Sequence, residues 1–387
     1  MTRSSRGHVL IAGVTTRPFA VSAARAGYRV TAIDAFGDVD LRAVAQVILT
    51  RPQPGHAYGP LQAAAAGARV RAELAAYTSN FENYPAAVTR LSAGRRLLGN
   101  AAGTLTRVRD PMEVMRVLRR YGLASPESRR QAPSTGSFGG SWLLKPRRSG
   151  GGHGITRWRR GDPLPRSMYL QQWIAGTPGS ISFAADGATA VLLGFSRQLV
   201  AGTELGAGRF RYCGSILGTL QTRLFPRQKE LLERAGEIAD VLTREFRLVG
   251  LNGIDFVARG GVPYPVEVNP RYSASMELIE RARGISMFEV HVQACRGVLP
   301  AVPPSNVTVQ GKAIVFARED VVVGAMPQRL GRRWLADIPH RGERIQRGRP
   351  ICTVFAEAAG PGACRRLLTR RAAMIYRAIT ASGRQAA

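Results

Sequence analysis

The chain has 387 residues, of which 45% are hydrophobic and 21% charged, a composition typical of globular proteins rather than disordered ones. That length allows two or three domains, each with its own core. No stretch approaches the roughly 20 consecutive apolar residues of a membrane-spanning helix. The apolar run at 9–14 is followed at once by Arg17 and Pro18, which favours a first strand over a signal peptide. We therefore expect a cytoplasmic protein without a membrane partner.

The formal net charge is +29, and only three of the 55 basic residues are lysines, Lys145, Lys229 and Lys312. One interpretation is an anionic partner, such as nucleic acid or a polyacidic substrate. The other is the codon bias of a GC-rich genome, which favours arginine over lysine throughout. The arginines are spread along the chain, and the 7% of aromatic residues do not alternate with them as in a strand-binding groove. We favour the compositional interpretation and do not expect nucleic acid as a partner.

The cysteines show neither CxxC spacing nor an adjacent histidine cluster. We expect all four to be reduced packing residues without a metal site of their own. They are Cys213, Cys295, Cys352 and Cys364.

The N-terminal third has an α/β pattern. A strand at 7–14 is followed by a helix from the cap Thr16 to about Ala26, and a second strand ends at the acid Asp34. This order resembles a dinucleotide-binding fold, but the full G-x-G-x-x-G pattern is missing, so Asp34 is either a ligand or a structural acid. A third strand near 74–78 leads into the polar cluster at 79–83, which is either a ligand-binding loop or an ordinary one.

The middle of the chain alternates helices and strands. Asp110 caps a helix from Pro111 through Arg120, and a Pro/Ser/Gly-rich linker follows at 131–140. Further on, the pattern predicts a strand and turn at 169–176, a hairpin formed by 180–183 and 189–194, and an amphipathic helix at 226–246.

A lysine on a short apolar strand marks the first candidate site. Lys145 ends the strand Trp-Leu-Leu-Lys-Pro and precedes the glycine-rich loop at 149–154. Backbone N–H groups of such a loop can surround phosphates while the ammonium supplies a point charge, which suits a triphosphate. Within the loop, we expect His153 to be solvent-exposed, with contact to phosphate or substrate as the alternative.

The second candidate site is a predicted hairpin. Asp255 lies inside an apolar strand, and after a Gly-Gly turn come Glu267, Asn269 and Arg271 at alternate positions. In an antiparallel pair Asp255 and Glu267 can lie opposite each other, with Asn269 on the same side. Two carboxylates and an amide oxygen suit Mg²⁺, and Arg271 could hold an anion bidentately. The alternative is two strand acids paired with neighbouring arginines.

Together these segments resemble the ATP-grasp superfamily, since the Lys145 strand with its glycine loop, the turn at 169–176 and the Asp255…Glu267-x-Asn269-x-Arg271 pattern follow that family's order and rough spacing. The resemblance implies an α/β (α+β grasp) fold in three parts. These are an N-terminal Rossmann-like pre-grasp domain at 1–105, a two-lobed ATP-grasp core at 106–300, and a small C-terminal β-rich segment with a final helix at 301–387.

The resemblance also implies roles for single residues. Lys145 and Arg271 would act on the transferring phosphoryl group, and Asp255, Glu267 and Asn269 would hold Mg²⁺, with Mn²⁺ as an alternative ion. The strand at 171–174 would meet the adenine, largely through its backbone. The full ATP-binding set would be Lys145, Ser149, Gly150, Gly151, Gly152, Gly154, Gln171, Gln172, Trp173, Ile174 and Arg109.

Two departures from the family pattern stand out. Where many members have glutamate in the hinge strand and after its turn, this chain has Gln171 and Gln172, then Pro178 and Gly179, so no ribose-binding glutamate is evident. Where a second phosphate-binding lysine is usual, only Arg107 and Arg109 are present. The planar fork of arginine is not equivalent to an ammonium.

The most similar subgroup is a set of predicted ATP-dependent carboligases. It shares the segments at 79–83, 176–181 and 211–214 and the C-terminal segment from Asp337 to Val354. The resemblance implies a link to methanopterin- or methanofuran-type one-carbon cofactors, some of which carry glutamate tails.

The expected activity is therefore that of a carboxylate–amine ligase, with a small anionic carboxylate and an amine as partners, acting through an acyl phosphate and releasing ADP. One alternative is a catalytically inactive grasp-fold protein that binds nucleic acid or another polyanion. Another is an ATP-grasp kinase or carboxylase. Arg209, Arg211 and Tyr212 either line the acceptor pocket or belong to an ordinary basic loop.

The residues past about 306 form a small C-terminal region. Strands are predicted at 311–316 and 351–355, joined through turns at Gly342 and Gly348, and a basic helix at 364–379. This region either completes the nucleotide-binding lobe or supports a homodimer.

Overall fold

The N-terminal part of the chain is a parallel sheet covered by helices. The computed structural model describes residues 6–50, 59–132, 140–219, 221–301, 308–327 and 331–385. The sheet strands are short apolar runs, because both sides of a parallel sheet are buried. They are β1 (His8–Ala12), β2 (Arg29–Asp34), β3 (Gln46–Leu49), β4 (Leu74–Tyr77) and β5 (Arg96–Leu98), in the order β3-β2-β1-β4-β5. The helices of this part are α1 (Arg17–Arg25), α2 (Val39–Arg42), α3 (Pro60–Gly67), α4 (Pro85–Ser92) and α5 (Ala102–Val108).

The strand predicted third in the chain is in fact fourth, because β3 precedes it. This edge strand has two half-buried apolar positions, Val47 and Ile48, and two exposed ends. So short an edge strand gives too little apolar pattern to be recognised in the sequence.

A small antiparallel sheet follows. It is preceded by α6 (Pro111–Arg120), whose cap Asp110 accepts a hydrogen bond from the backbone N–H of Met112 at 3.0 Å, as the sequence predicted. The core of this small sheet is the cluster of Trp142, Trp158 and Leu170. The predicted linker lies partly outside the described residues, which omit 133–139. The strands are β6 (Ser128–Arg129), β7 (Trp142–Pro146), β8 (Thr156–Trp158) and β9 (Met168–Gln172), in the order β6-β9-β7-β8.

A large antiparallel sheet of eight strands comes next. The amphipathic helix α7 (Gln228–Phe246) packs on it, with the predicted core positions Leu231, Ala235, Ile238, Leu242 and Phe246 all buried. The strands are β10 (Thr177–Asp186), β11 (Ala190–Val200), β12 (Tyr212–Leu217), β13 (Val249–Arg259), β14 (Val262–Asn269), β15 (Val309–Phe316), β17 (Leu335–Ala336) and β19 (Pro350–Ala358), in the order β14-β13-β10-β11-β12-β15-β19-β17.

The C-terminal strands belong to this same sheet, since β15 pairs with β12 and β19 pairs with β15. The last helix covers them through buried Leu368, Ala372 and Ile375. A two-stranded ribbon, β16 (Val321–Val322) with β18 (Arg344–Ile345), lies beside it. The remaining helices are α8 (Met276–Arg283), α9 (Met287–Ala294), α10 (Gly331–Trp334) and α11 (Pro361–Gln385).

The N-terminal part contacts the large sheet through α1 and the residues that follow β5. Phe19 on α1 stacks on Tyr272, with ring centroids 4.7 Å apart, and the amide of Asn100 donates to the Asn252 side chain at 2.9 Å. This places the carboxyl end of β4, with the segment 79–83, near the last residues of β14. The four cysteines are free, as predicted. No helix within the described residues is both long and apolar enough to cross a membrane.

Candidate active site

The hairpin of β13 and β14 brings the two predicted metal-binding carboxylates together. Asp255 is the register partner of Glu267. The amide of Asn269 donates to Asp255 Oδ2 at 3.0 Å, and Gln198 on β11 donates to Oδ1 at 2.8 Å. Both carboxylate oxygens of Asp255 are therefore oriented by amides, while the side chain of Glu267 lines a cleft.

The electrostatics of this pair fit a divalent cation. Burial, together with the charge of Glu267, raises the pKa of Asp255 to about 6. A cation between the two carboxylates would relieve that repulsion. Mg²⁺ bound to nucleotide phosphates usually takes only a few ligands from the protein, and two carboxylates with the Asn269 amide oxygen could supply them. Within the described part of the chain, no group of three or more His, Cys, Asp or Glu side chains forms a richer metal site.

Lys145 lies at the same cleft on β7. Its side chain is 9% exposed, and its Nζ donates to Gln171 Oε1 at 2.9 Å and to the carbonyl of Val266 at 3.1 Å. The acceptor Gln171 on β9 is neutral, so it orients the ammonium without neutralising it. The full positive charge stays available for an anion in the cleft.

Arg109, which directly follows α5, links several parts of the site. Its guanidinium contacts Glu267 Oε1 at 3.0 Å, the carbonyl of Ser149 at 3.2 Å and the side chain of Asn83 at 3.0 Å. Arg107, the other arginine named from the sequence, pairs instead with Glu113 on the exposed surface. Of the two, Arg109 lines the cleft that Lys145 also lines.

The glycine-rich loop requires its glycines at specific positions. Gly152 has φ +78°, and a Cβ added there would lie 1.8 Å from the carbonyl oxygen of Phe210. The backbone N–H of Tyr212 donates to the carbonyl of Gly151 at 3.1 Å, which fixes the loop against the start of β12. By contrast, a Cβ on Gly150 would meet nothing within 4 Å.

The cleft between the small sheet, the glycine loop and β14 is lined by six of the eleven predicted ATP-binding residues and by Glu267. Gln172, Trp173, Ile174, Gly151 and Gly154 are not among the described residues that line it. The N–H of Gln172 instead donates to the carbonyl of Glu127 at 2.8 Å, and Trp173 stacks under Arg157 at 4.1 Å. The predicted residues that do line it are Lys145, Ser149, Gly150, Gly152, Gln171, Arg109 and Glu267.

Arg271 is held at the edge of the site by a residue that the sequence did not single out. It forms an ion pair with Glu82 at 2.7 Å and donates to Asn269 Oδ1 at 3.1 Å. Glu82 is 1% exposed, and its Oε2 and the Nε of Arg271 have no hydrogen-bond partner among the described residues. The segment 79–83 thus contributes to the site through Glu82 and Asn83, whereas Asp34 has a structural role, accepting hydrogen bonds from Thr16 and Gly37.

Sequence reasoning also missed Gln198 and the register of β12. The one available signal for Glu82 was its place after a parallel strand, where open sheets hold ligands. Gln198 gave no signal, because its contact with Asp255 depends on strand β10 lying between their two strands.

Comparison with known proteins identifies the domain. Residues 108–275 match the family described as the ATP-grasp domain. An uncharacterized protein of Methanocaldococcus jannaschii is 22% identical over 370 residues, which cover 90% of this chain and 88% of that protein. The predicted ATP-grasp resemblance is thereby confirmed.

Solved structures agree on the fold. An ADP complex of N5-carboxyaminoimidazole ribonucleotide synthetase has a TM-score of 0.70 and 17% identity, covering 97% of this chain and 98% of that chain. An L-amino acid ligase from Bacillus licheniformis has a TM-score of 0.69 and 14% identity, covering 95% and 98%. The predicted ATP-grasp fold is confirmed.

Proposed function

We propose that this chain, a member of the ATP-grasp superfamily by its domain at residues 108–275, is an ATP- and Mg²⁺-dependent carboxylate–amine ligase. One observation carries the proposal: Lys145, Arg109 and Glu267 line a single cleft beneath the glycine loop, with Asp255 paired to Glu267. Cations for a triphosphate and carboxylates for a magnesium ion thus converge. The fold-level likeness to an L-amino acid ligase supports the reaction class.

The reaction needs positioning and charge stabilisation more than covalent catalysis by the protein. A substrate carboxylate oxygen attacks the γ-phosphorus of ATP, the bond to the β-phosphate oxygen breaks, and ADP leaves. An amine then attacks the acyl carbon, and inorganic phosphate and a proton leave. Lys145 and Arg109 hold the phosphates, and Arg271 stabilises the acyl phosphate oxygens. Mg²⁺, held by Asp255, Glu267 and Asn269, would supply further charge neutralisation, and Mn²⁺ is an alternative ion.

Two finer points extend the proposal. We assign the amine to glutamate or a similar amino acid, joined to a one-carbon cofactor of the methanopterin or methanofuran type, on the strength of the carboligase-like segments at 79–83 and 337–354. We also propose three domains, at 1–105, 106–300 and 301–387, the last of which contributes β15, β17 and β19 to the large sheet. The proposed assembly is a cytoplasmic homodimer. Light scattering of the purified protein tests the dimer.

A turnover assay tests the function. ADP release is measured with MgATP, a panel of carboxylic acids and a panel of amines. We expect a carboxylate- and amine-dependent signal that Glu267→Gln abolishes, because the substitution removes one of two acidic magnesium ligands. Glu230→Gln, in an exposed pair with Arg227, is the matched control and should keep full activity.

Two results would contradict the proposal. An active Glu267→Gln variant with an unchanged thermal melt would remove Glu267 from the site. Binding to generic DNA that weakens with salt, without any MgATP binding, would favour the inactive polyanion-binding alternative.

A further inference from the structure

A second group of basic side chains lies beside the glycine loop but outside the cleft. Arg211 Nη1 is 3.1 Å from Nδ1 of His153, and the Arg211 guanidinium lies 5.1 Å from the centre of the Phe316 ring. The carbonyl of Arg349 accepts a hydrogen bond from Ala317, the residue after Phe316, at 2.9 Å. The backbone of Arg349 is thus held beside the residue that follows this ring, close enough for its charge to act on Arg211. We name His153, Arg211 and Arg349 the basic cluster.

Within the part of the chain that the structure describes, the basic cluster lacks an acidic partner. Across the described ranges of the chain, no Asp or Glu forms an ion pair with Arg211 or Arg349, and nearby Glu204 is paired with Arg365 at 3.0 Å. Burial and the charge of Arg349 lower the pKa of Arg211, and burial with both arginines lowers that of His153. Arg211 is half-buried, whereas His153 and Arg349 are exposed. An anion between the two guanidinium groups would offset their like charges.

The basic cluster is connected to the candidate active site by short contacts. Tyr212, next to Arg211, is fixed to Gly151 of the glycine loop, and its hydroxyl lies 2.9 Å from Ser215 Oγ. Ser215 is the register partner of Gln198, which donates to Asp255 at 2.8 Å. Polar side chains thus lead across the sheet from the carboxylate pair to the cluster.

We propose that the basic cluster binds a second anionic group of the carboxylate substrate, a carboxylate or a phosphate. The reacting carboxylate would lie beside Asp255 and Glu267 at the other end of the polar path. This inference rests on the proposed ligase function and adds the substrate class, an acid with at least two anionic groups. The triphosphate already has Lys145 and Arg109, and the cleft that they line does not include the cluster. The paired planar forks of two arginines suit a carboxylate or phosphate.

Calorimetric titration of three matched acids into the full chain, saturated with MgADP, tests the inference. The acids are glutarate, 3-phosphonopropionate and butyrate, which carry a second carboxylate, a phosphonate and no second anion. We expect one of the first two to bind at least about tenfold more tightly than butyrate, as charge-assisted hydrogen bonds allow. The two arms identify which anion is preferred.

Three variants locate the preference. In Arg211→Gln and in the exposed Arg349→Gln, the advantage over butyrate should fall by about tenfold while the MgADP affinity changes less than about twofold. Arg209→Gln is the matched control, since its guanidinium lies 5.3 Å from the centre of the Phe210 ring, whereas the contact with His153 is made by Arg211. It should retain the full preference.

Other results would overturn the inference or would separate it from the ligase function. Equal binding of the three acids by the wild type, or an unchanged preference in both cluster variants, overturns the inference. A parallel loss of MgADP affinity with the preference unchanged would assign the cluster to the nucleotide and overturn it as well. No MgADP binding by the wild type, with dianion preference intact in its absence, would refute the ligase function and leave the cluster's role standing.

Discussion

Arg271 shows how a single buried side chain depends on its partner. Its guanidinium is 10% exposed and is neutralised by Glu82, which is 1% exposed, at 2.7 Å. Removing one member of such a pair leaves a buried charge without compensation. Glu82 is therefore a positioning residue for Arg271, and through Arg271 for Asn269.

We expect Glu82→Gln to lower the free energy of unfolding by about 3 kcal/mol, because Arg271 then loses its buried counter-charge. Urea unfolding followed by circular dichroism measures the change. Glu113→Gln is the control, since its partner Arg107 is 48% exposed, and the effect there should be about 1 kcal/mol or less. Equal losses in the two variants would show that the Glu82 pair is not buried in solution.

For single residues, the sequence predicted which side chains lie together when they belong to the same hairpin. Asp255, Glu267 and Asn269 could be grouped because strand periodicity and a two-glycine turn set their register. The pairing of Glu82 with Arg271 could not be predicted, because it joins two segments that follow strands of separate sheets. For His153, the expected exposure is found, but its contact with Arg211 depends on how the loop meets β12.

Among the elements, the glycine loop is the one whose sequence is most tightly constrained by its neighbours. Gly152 lies against the Phe210 carbonyl in a left-handed conformation that L residues rarely adopt, whereas Gly150 lies in open space. The loop carries Ser149, whose carbonyl accepts from Arg109. Any displacement of the loop would therefore shift Arg109, which we propose binds phosphate.

We predict that Gly152→Ala weakens ATP binding by about tenfold, because the added methyl group displaces the loop from the Phe210 carbonyl. Gly208→Ala is the matched control, since a Cβ there would meet nothing within 4 Å and Gly208 does not line the cleft, and it should change ATP affinity less than about twofold. Calorimetric titration with MgATP gives both values. If the two variants were equally affected, contact with β12 would not determine the position of the loop.

Elements with caps and clear periodicity were predictable, and elements defined by their neighbours were not. Helices α6 and α7 follow from a capped start and a regular apolar stripe. Strand β12 was not predicted, because Gly214 and Ser215 have low strand propensity and the strand forms only between β11 and β15. At Gly214 a Cβ would lie 2.2 Å from the Lys312 carbonyl, so the glycine is required by close approach of the two strands.

For the whole molecule, a buried charge network joins the parallel sheet to the large one. Arg17 on α1 contacts Asp337 at 2.9 Å and also pairs with Glu277 on α8. Lys312 on β15 contacts Glu277 at 2.7 Å. One of the few lysines in the chain thus has a structural partner, and the N-terminal, central and C-terminal parts meet at these charges.

Asp38 is a buried acid near this charge network, and its negative charge is unfavourable there. Burial, with the charges of Asp337, Asp34 and Asp40, raises its pKa from 3.8 to about 9. A carboxyl whose pKa is raised by folding contributes stability below its ordinary pKa, and that contribution is lost as the pH rises towards 9. We therefore expect Asp38→Asn to raise the free energy of unfolding at pH 8 by roughly 1–3 kcal/mol.

Urea unfolding of both proteins at pH 8 and at pH 4 checks this prediction. The advantage of Asp38→Asn should shrink towards zero at pH 4, because that pH is close to the ordinary pKa of 3.8 and keeping the folded-state carboxyl protonated there costs little free energy. A variant less stable than the wild type at pH 8 would mean that the Asp38 charge is stabilised in the folded protein.

The most direct test of the whole account is calorimetric titration of ATP into the wild type and Lys145→Ala, with and without Mg²⁺ and at two salt concentrations. We expect magnesium-dependent binding of ATP by the wild type that Lys145→Ala greatly weakens. The ATP affinity should depend only modestly on salt, because the Lys145 ammonium is buried. Absence of nucleotide binding in both proteins would contradict the account and make the +29 net charge the leading clue to function.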